Sequence, residues 1–272
     1  MGSFPQSIVH YLPVTDHDER WGIVCTTAGY QNVPPGSPYP LTQHPDSYSF
    51  TRSRGRVLGE YQLLYIVSGQ GEFRSASSPA APVKAGTVVM LFPDEWHTYA
   101  PDPETGWEEW WVGFRGENID RRVAEGFFSP KTPLLHIGHS AGIVSCYQEI
   151  IRSAEEERKG FQQLVTGIVL HLLGSVLFKR DNLQYLDNPI VEKINRAREM
   201  MRRHIGDNLP PEEIARRLNI GYTWFRRTFR AYVGIAPAQY QLQLRHNKAR
   251  ELLTTTDRTA VSYTHLTLPT IA

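Results

Sequence analysis

The sequence predicts an α+β chain of two domains, an antiparallel β-barrel or sandwich followed by helices that end in a basic, all-α unit. Three observations carry that expectation. Between Glu60 and Phe114 the chain is a series of short β-rich runs broken by Gly and Pro. After Arg115 the apolar residues change to helical spacing. The third is charge: 14 of the 29 Lys and Arg, but only 7 of the 28 Asp and Glu, lie between Pro189 and Arg258. A chain of net charge +1 therefore joins a basic segment to an acidic remainder. That asymmetry suggests a polyanionic partner for the basic part, with a chance cluster of solvated charge as the alternative. With 272 residues, two separate cores are possible.

Residues 1–55, rich in Pro, Gly, Ser and Thr, read as an arm and one or two strands around Trp21-Gly-Ile-Val-Cys25. Tyr61 to Val67 is a strand, closed by a turn at Ser68-Gly-Gln-Gly71. Lys84-Ala-Gly86 turns into the buried run Thr87 to Phe92. Pro93-Asp-Glu95 turns into Trp96 to Ala100, and a loop over 101–106 leads to the strand Trp107 to Phe114. Ile143, Tyr147, Ile150 and Ile151 share one helical face, and Phe161 to Phe178 continues as a second apolar helix. Cys25 and Cys146 have no metal spacing and no disulfide framework, which suits a reducing cytosol. No secretory signal is read at the N-terminus. The apolar run from Val165 to Phe178, interrupted by His171, is too short to span a bilayer. A cytoplasmic protein with no membrane partner is expected.

Asp181 to Asn188 reads as a polar linker into three helices. Pro189 to His204 carries Ile190, Ile194, Ala197 and Met201 on one stripe. Pro211 to Leu218 is short and turns Ile214, Ala215 and Leu218 one way. Asn219-Ile-Gly221 is a tight turn in which the glycine is expected to supply positive φ or a close approach. In the third helix, Tyr222 to Tyr232, the residues Trp224, Phe225, Phe229 and Tyr232 form one face. Thr223, Arg226, Arg227 and Arg230 follow i, i+3, i+4 and i+7 on the other. A short helix, a tight turn and a basic helix with one apolar face suit insertion into a DNA major groove, where Arg bonds guanine O6 and N7 as a fork. A plain amphipathic surface helix is the competing reading.

The segment Glu212 to Phe229 resembles the first helix-turn-helix of the AraC/XylS family of transcription regulators, and Gly234-Ile-Ala-Pro-Ala-Gln-Tyr240 is similar to the signature that closes it. Gln241 to Leu253 resembles that family's linker helix. The resemblance implies base reading by Thr223, Arg226 and Arg227 and a phosphate contact by Arg230. Pro210 and Ala236 depart from the family, which has Ser or Thr caps there. The family's second helix-turn-helix is missing: residues 259–272 carry no charged side chain and no helical period and are expected to be a non-native tail. With half the contacts gone, specific DNA binding by this chain is expected to be weak at physiological salt.

Tyr61 to Phe73, Lys84 to His97 and Trp107 to Arg115 resemble the cupin-like sensor barrel of the same family. Alternation along the last strand puts Trp107, Glu109 and Trp111 on one face and Trp110, Val112 and Phe114 on the other. If the first face lines the barrel, Trp111 would stack on a sugar ring and Glu109 would accept from its hydroxyls, with His97 and Tyr99 across the pocket. The resemblance implies ligand contact by Tyr99, Glu109 and Trp111; as an alternative, these rings are barrel core. Cupin enzymes hold a metal with three His and a Glu, whereas His97 stands without partners of that kind, so no cofactor and no enzyme activity are expected. A metal-dependent cupin enzyme with a helical tail is the runner-up reading. The expected organisation is a sensing barrel with its arm over 1–135, a dimerisation segment over 136–180, a linker over 181–188 and a DNA-binding domain over 189–258. The helices of the dimerisation segment pack either on a second copy or on their own barrel. The resemblance implies double-stranded operator DNA, a small-molecule effector such as a sugar, a homodimer partner and RNA polymerase as partners.

Overall fold

The structure is a computed structural model that describes residues 7–40, 48, 51, 53–185, 188–207 and 209–255. The expected tail over 259–272 lies outside the described residues. The chain divides into two compact units, 1–183 and 184–272.

The first unit is built on an eight-stranded antiparallel sheet folded on itself. Its strands are β1 (Ser7–Tyr11), β2 (Val24–Val33), β3 (Tyr61–Ser75), β4 (Ala81–Lys84), β5 (Thr87–Leu91), β6 (His97–Pro101), β7 (Trp107–Arg115) and β8 (Leu134–His136). The path β1-β2-β7-β3-β5-β8 makes one wall, while β4 and β6 pair with the far half of β3 and make the other. One strand thus serves both walls. Tyr61 to Ile66 pairs with β5 and β7, the register shifts between Ile66 and Ser68, and Gly71 onward pairs with β4 and β6. The expected turn at Ser68–Gly71 is therefore corrected to a bend inside a 15-residue strand. Gly69 takes φ +79°, and a Cβ there would overlap the Gly106 carbonyl. The glycine gives the strand its corner without ending it.

Alternation along the strands separates two cores. Leu64, Ile66, Phe73, Val89, Leu91, Tyr99, Trp107 and Trp111 fill the barrel interior. Leu63, Tyr65, Met90, Trp110, Val112 and Phe114 face outward. Against that outer face pack α3 (Ala141–Glu156) and α4 (Phe161–Asn182), which bury Ile143, Tyr147, Ile150, Val165, Val169, Leu172 and Val176. Two shorter helices, α1 (Asp16–Glu19) and α2 (Glu117–Ala124), complete the unit. Gln162 of α4 ties the helices to the sheet, accepting from Cys25 N at 3.0 Å and donating to Cys25 O at 2.9 Å and to Pro13 O at 3.0 Å.

Two boundaries differ from expectation. β8 runs to His136, and α4 has 22 residues rather than ending at 178. By length and apolarity α4 is able to cross a membrane, so the argument that it is too short fails. Its buried side packs on the outer core of this barrel.

The second unit holds α5 (Pro189–Arg203), α6 (Pro211–Arg217), α7 (Tyr222–Val233) and α8 (Pro237–Thr255). Asn188 caps α5 by accepting from Ile190 N at 3.0 Å, with Pro189 in the first turn. No side chain caps α6 or α7. The core is Ile194, Ala197, Met201, Leu209, Ile214, Ala215, Phe225 and Phe229. Between α6 and α7 it is Asn219, at φ +52°, that takes the left-handed conformation. Gly221 is extended, with open space where a Cβ would be. The expected role of the glycine is thus corrected: asparagine makes the turn, since it tolerates this region through local hydrogen bonding.

Candidate functional site

Inward-facing side chains of β1, β2, β3, β6 and β7 and the segment between β2 and β3 meet around a small polar cavity in the barrel. β7 contributes Glu109 and Trp111, β6 Tyr99, β3 Gln62, and β2 Thr27 and Gln31. Period-two alternation turns Trp107, Glu109 and Trp111 into this space and their neighbours Trp110 and Val112 outward. The Trp111 indole lies across β2 at Gly29, where a Cβ would overlap the ring.

Three of the four residues expected at a ligand, Tyr99, Glu109 and Trp111, line this cavity. His97 does not. It is buried behind Arg56, whose Nε donates to His97 Nε2 at 3.3 Å, while His97 Nδ1 lies 3.0 Å from the Glu95 carbonyl. A neutral ring protonated on Nδ1 satisfies both contacts. Burial first, then the Arg56 charge, holds this imidazole down to about 4. His97 therefore orients the arginine that faces the cavity.

Arg56 is the organiser that the sequence reading missed. Its Nη2 donates to Tyr99 Oη at 2.7 Å and to Gln62 Oε1 at 3.3 Å, and Nη1 to the Tyr48 carbonyl at 2.7 Å. Glu60 anchors the other side, accepting from Gln62 Nε2 at 2.8 Å, Tyr48 Oη at 3.1 Å and Thr27 Oγ1 at 3.3 Å. Gln62 stands on the same face of its strand as Leu64 and Ile66, so a polar residue at an inward position was its available signal. Arg56, Tyr39 and Tyr48 lie in a Pro- and Ser-rich stretch without period and offered none.

Glu109 is 1% exposed, and burial pushes its carboxyl up to about 7. Tyr39 Oη donates to it at 2.9 Å. The Tyr39 ring meets Trp107 edge-on, centroids 5.6 Å apart, and lies 6.1 Å from Tyr99. With this phenol in place the remaining space is about 20 Å³, enough for one water and too little for a sugar ring. Tyr39 places one hydroxyl on a buried carboxyl and one ring between two aromatic side chains.

The second unit carries a different surface. Phe225 and Phe229 are buried, and their rings pack at 5.5 Å, with Phe229 on Tyr240 at 5.6 Å. Gln241 Nε2 donates to the Leu209 carbonyl at 2.7 Å and fastens α8 to the approach of α6. Thr223, Arg226, Arg227 and Arg230 of α7 are exposed. Among the described residues no ion pair engages these three arginines, whereas Arg216 and Arg217 of α6 both bond Glu213 and hold its carboxyl down to about 2. Trp224 corrects the expected apolar face, for it is 37% exposed rather than packed with Phe225.

The family description "AraC-like ligand binding domain" matches residues 35–173. The Msm operon regulatory protein of Streptococcus mutans is 22% identical over 200 residues, 72% of this chain and 71% of that protein. The raffinose operon transcriptional regulatory protein RafR of Pediococcus pentosaceus is 21% identical over 230 residues, 80% of this chain and 79% of that protein. The MmsAB operon regulatory protein of Pseudomonas aeruginosa is 25% identical over 202 residues, 73% of this chain and 64% of that protein.

Proposed function

This chain belongs to the family defined by the AraC-like ligand-binding domain, and on that premise we propose that it is a cytoplasmic transcription regulator whose barrel senses a sugar or related polyhydroxylated molecule and whose α7 reads operator DNA. The observation that carries the reading is the ring of polar side chains sealed inside the barrel. Glu60, Gln62 and Glu109 are each 5% exposed or less, and burying such groups is costly unless they are bonded. Glu109 and its tyrosine partner suit a ligand hydroxyl, and Trp111 supplies an apolar wall. The relatives named for a raffinose operon and an Msm operon support a regulator of this kind.

The effector enters by displacing Tyr39, so ligand binding moves Tyr39 and Pro40 beyond the end of β2. A homodimer transmits that change to paired DNA-binding units. The exposed positions of α4 support the pairing: Leu164, Gly167, His171, Gly174 and Phe178 advance by alternating steps of three and four, the spacing of a seam between two helices. Contact with RNA polymerase belongs to the same reading. A metal-dependent enzyme is the second reading, because His97 is engaged by Arg56 and the relatives are named as operon regulators.

Thermal-shift titration of the full chain with monosaccharides, disaccharides and sugar acids tests the sensing half. At least one is expected to raise the melting temperature in wild type and to lose its effect in Trp111→Ala. No shift with any of them, in wild type and Tyr39→Ala alike, overturns it. Sedimentation of wild type against Phe178→Glu tests the dimer, which the charge is expected to dissociate.

A further inference from the structure

Trp224 is not among the residues that form the core of its unit or pack against it, and it is 37% exposed. Helical geometry shows where it points. Phe225 and Phe229 define the buried direction of α7. With each residue turned by about 100°, Arg227 lies opposite them, Thr223 is about 40° from Arg227, and Trp224 and Arg230 are each about 60° away on opposite sides. Arg226 lies about 100° away, nearer the edge. The outward face of this helix is thus centred on Arg227 and flanked by an indole on one side and a guanidinium on the other. Trp224 is also the third residue of α7, in the first turn. Residues near the N-terminus of such a helix reach base edges when it enters the major groove.

We propose that Trp224 is a specificity-determining residue that reads a thymine through its C5-methyl group, beside the guanine contacts of the arginines. The inference rests on the DNA-binding reading above and deepens it. Three features support it. A large apolar ring more than a third exposed within a cationic face, at 37%, gains by covering an apolar group of its partner, and in the major groove that group is the thymine methyl. The neighbouring arginines supply the charge that brings a duplex to this face. The only other large apolar side chains strongly exposed in the described part of this unit, Leu242 and Leu253, lie on α8, so the feature is confined on α7 to Trp224.

The test is a selection from random duplexes with the full chain at low ionic strength, followed by replacement of each selected thymine by deoxyuridine, which removes only the methyl. Wild type is expected to lose affinity about fourfold at one position, the worth of one buried methyl. Trp224→Ala should bind equally with or without that methyl, and Trp224→Leu should keep part of the discrimination. Circular dichroism checks that each variant retains its helices. A wild-type motif that Trp224→Ala leaves unchanged, or a uniform loss across all sequences as for a phosphate contact, overturns the proposal while leaving the DNA-binding reading intact. Failure of wild type to enrich any sequence, with Arg227→Ala behaving the same, overturns both.

Discussion

The two units of this chain treat their polar residues in opposite ways. The barrel turns Glu60, Gln62, His97 and Glu109 inward, bonding Glu60 to Gln62, Gln62 and His97 to Arg56, and Glu109 to Tyr39. The helical unit keeps an apolar core and turns Arg226, Arg227 and Arg230 of α7 out. Two glutamates show the consequence. Glu109 is pushed up to about 7 by burial, and Glu213, held by Arg216 and Arg217 at the surface, is drawn down to about 2. A barrel that buries polar groups recognises by enclosure, and its contents must be exchanged for a ligand. A helix that exposes them recognises by contact, with no rearrangement of its core.

If that contrast is sound, the largest effect is in the helical core. Phe225→Ala should cost about 3–5 kcal/mol and melt the second unit in a thermal scan while the barrel transition is unchanged. A joint loss of both transitions would show that the units do not fold separately.

Next is the buried carboxyl. Glu109, faced by Tyr39, Arg56, Trp107 and Tyr99, holds its proton more tightly folded than unfolded. Stability should therefore fall as pH rises from the ordinary value of 4.5 to about 7, with the penalty complete above that. Such a shift corresponds to about 3 kcal/mol. His97, held at about 4 against an ordinary 6.5, contributes the opposite slope between those values, so wild type and Glu109→Gln must be compared at each pH. Glu109→Gln is expected to gain on wild type as pH rises to 8, and parallel curves would mean that the carboxyl is not enclosed as described.

Tyr39→Phe removes the hydroxyl that Glu109 accepts. It should cost about 1–2 kcal/mol of barrel stability and raise effector affinity about 5–30-fold, since the closed state competes less well. Unchanged affinity by calorimetry would show that Tyr39 does not compete with ligand. The smallest effect is at the turn of the helical unit. Asn219→Gly should shift stability by only about a few tenths of a kcal/mol, and Asn219→Val should cost about 1–2 kcal/mol, because a β-branched residue resists positive φ.

Much of this was legible in the sequence where a period exists. The alternation Trp107, Glu109, Trp111 against Trp110, Val112, Phe114 sorts into the two cores, and the pattern after Pro189 yields α5, α6 and α7 within about two residues. Where local signals are degenerate, the reading failed. The glycines at 69 and 71 suit a turn or a bend equally well, and only the pairing partners on either side make them a bend. Trp224 belongs by composition to the apolar set, yet its place on the wheel turns it outward.

The sequence by itself determined the class of each unit, the strand and helix faces, and the separation of charge along the chain, because these follow from local periodicity and composition. Tertiary structure alone decided that Arg56 and Tyr39 enter the barrel, that His97 stands behind the arginine, and that Tyr39 takes up most of the cavity. Those contacts join residues 41 to 70 positions apart through a segment without period, and no local rule specifies where such a segment crosses.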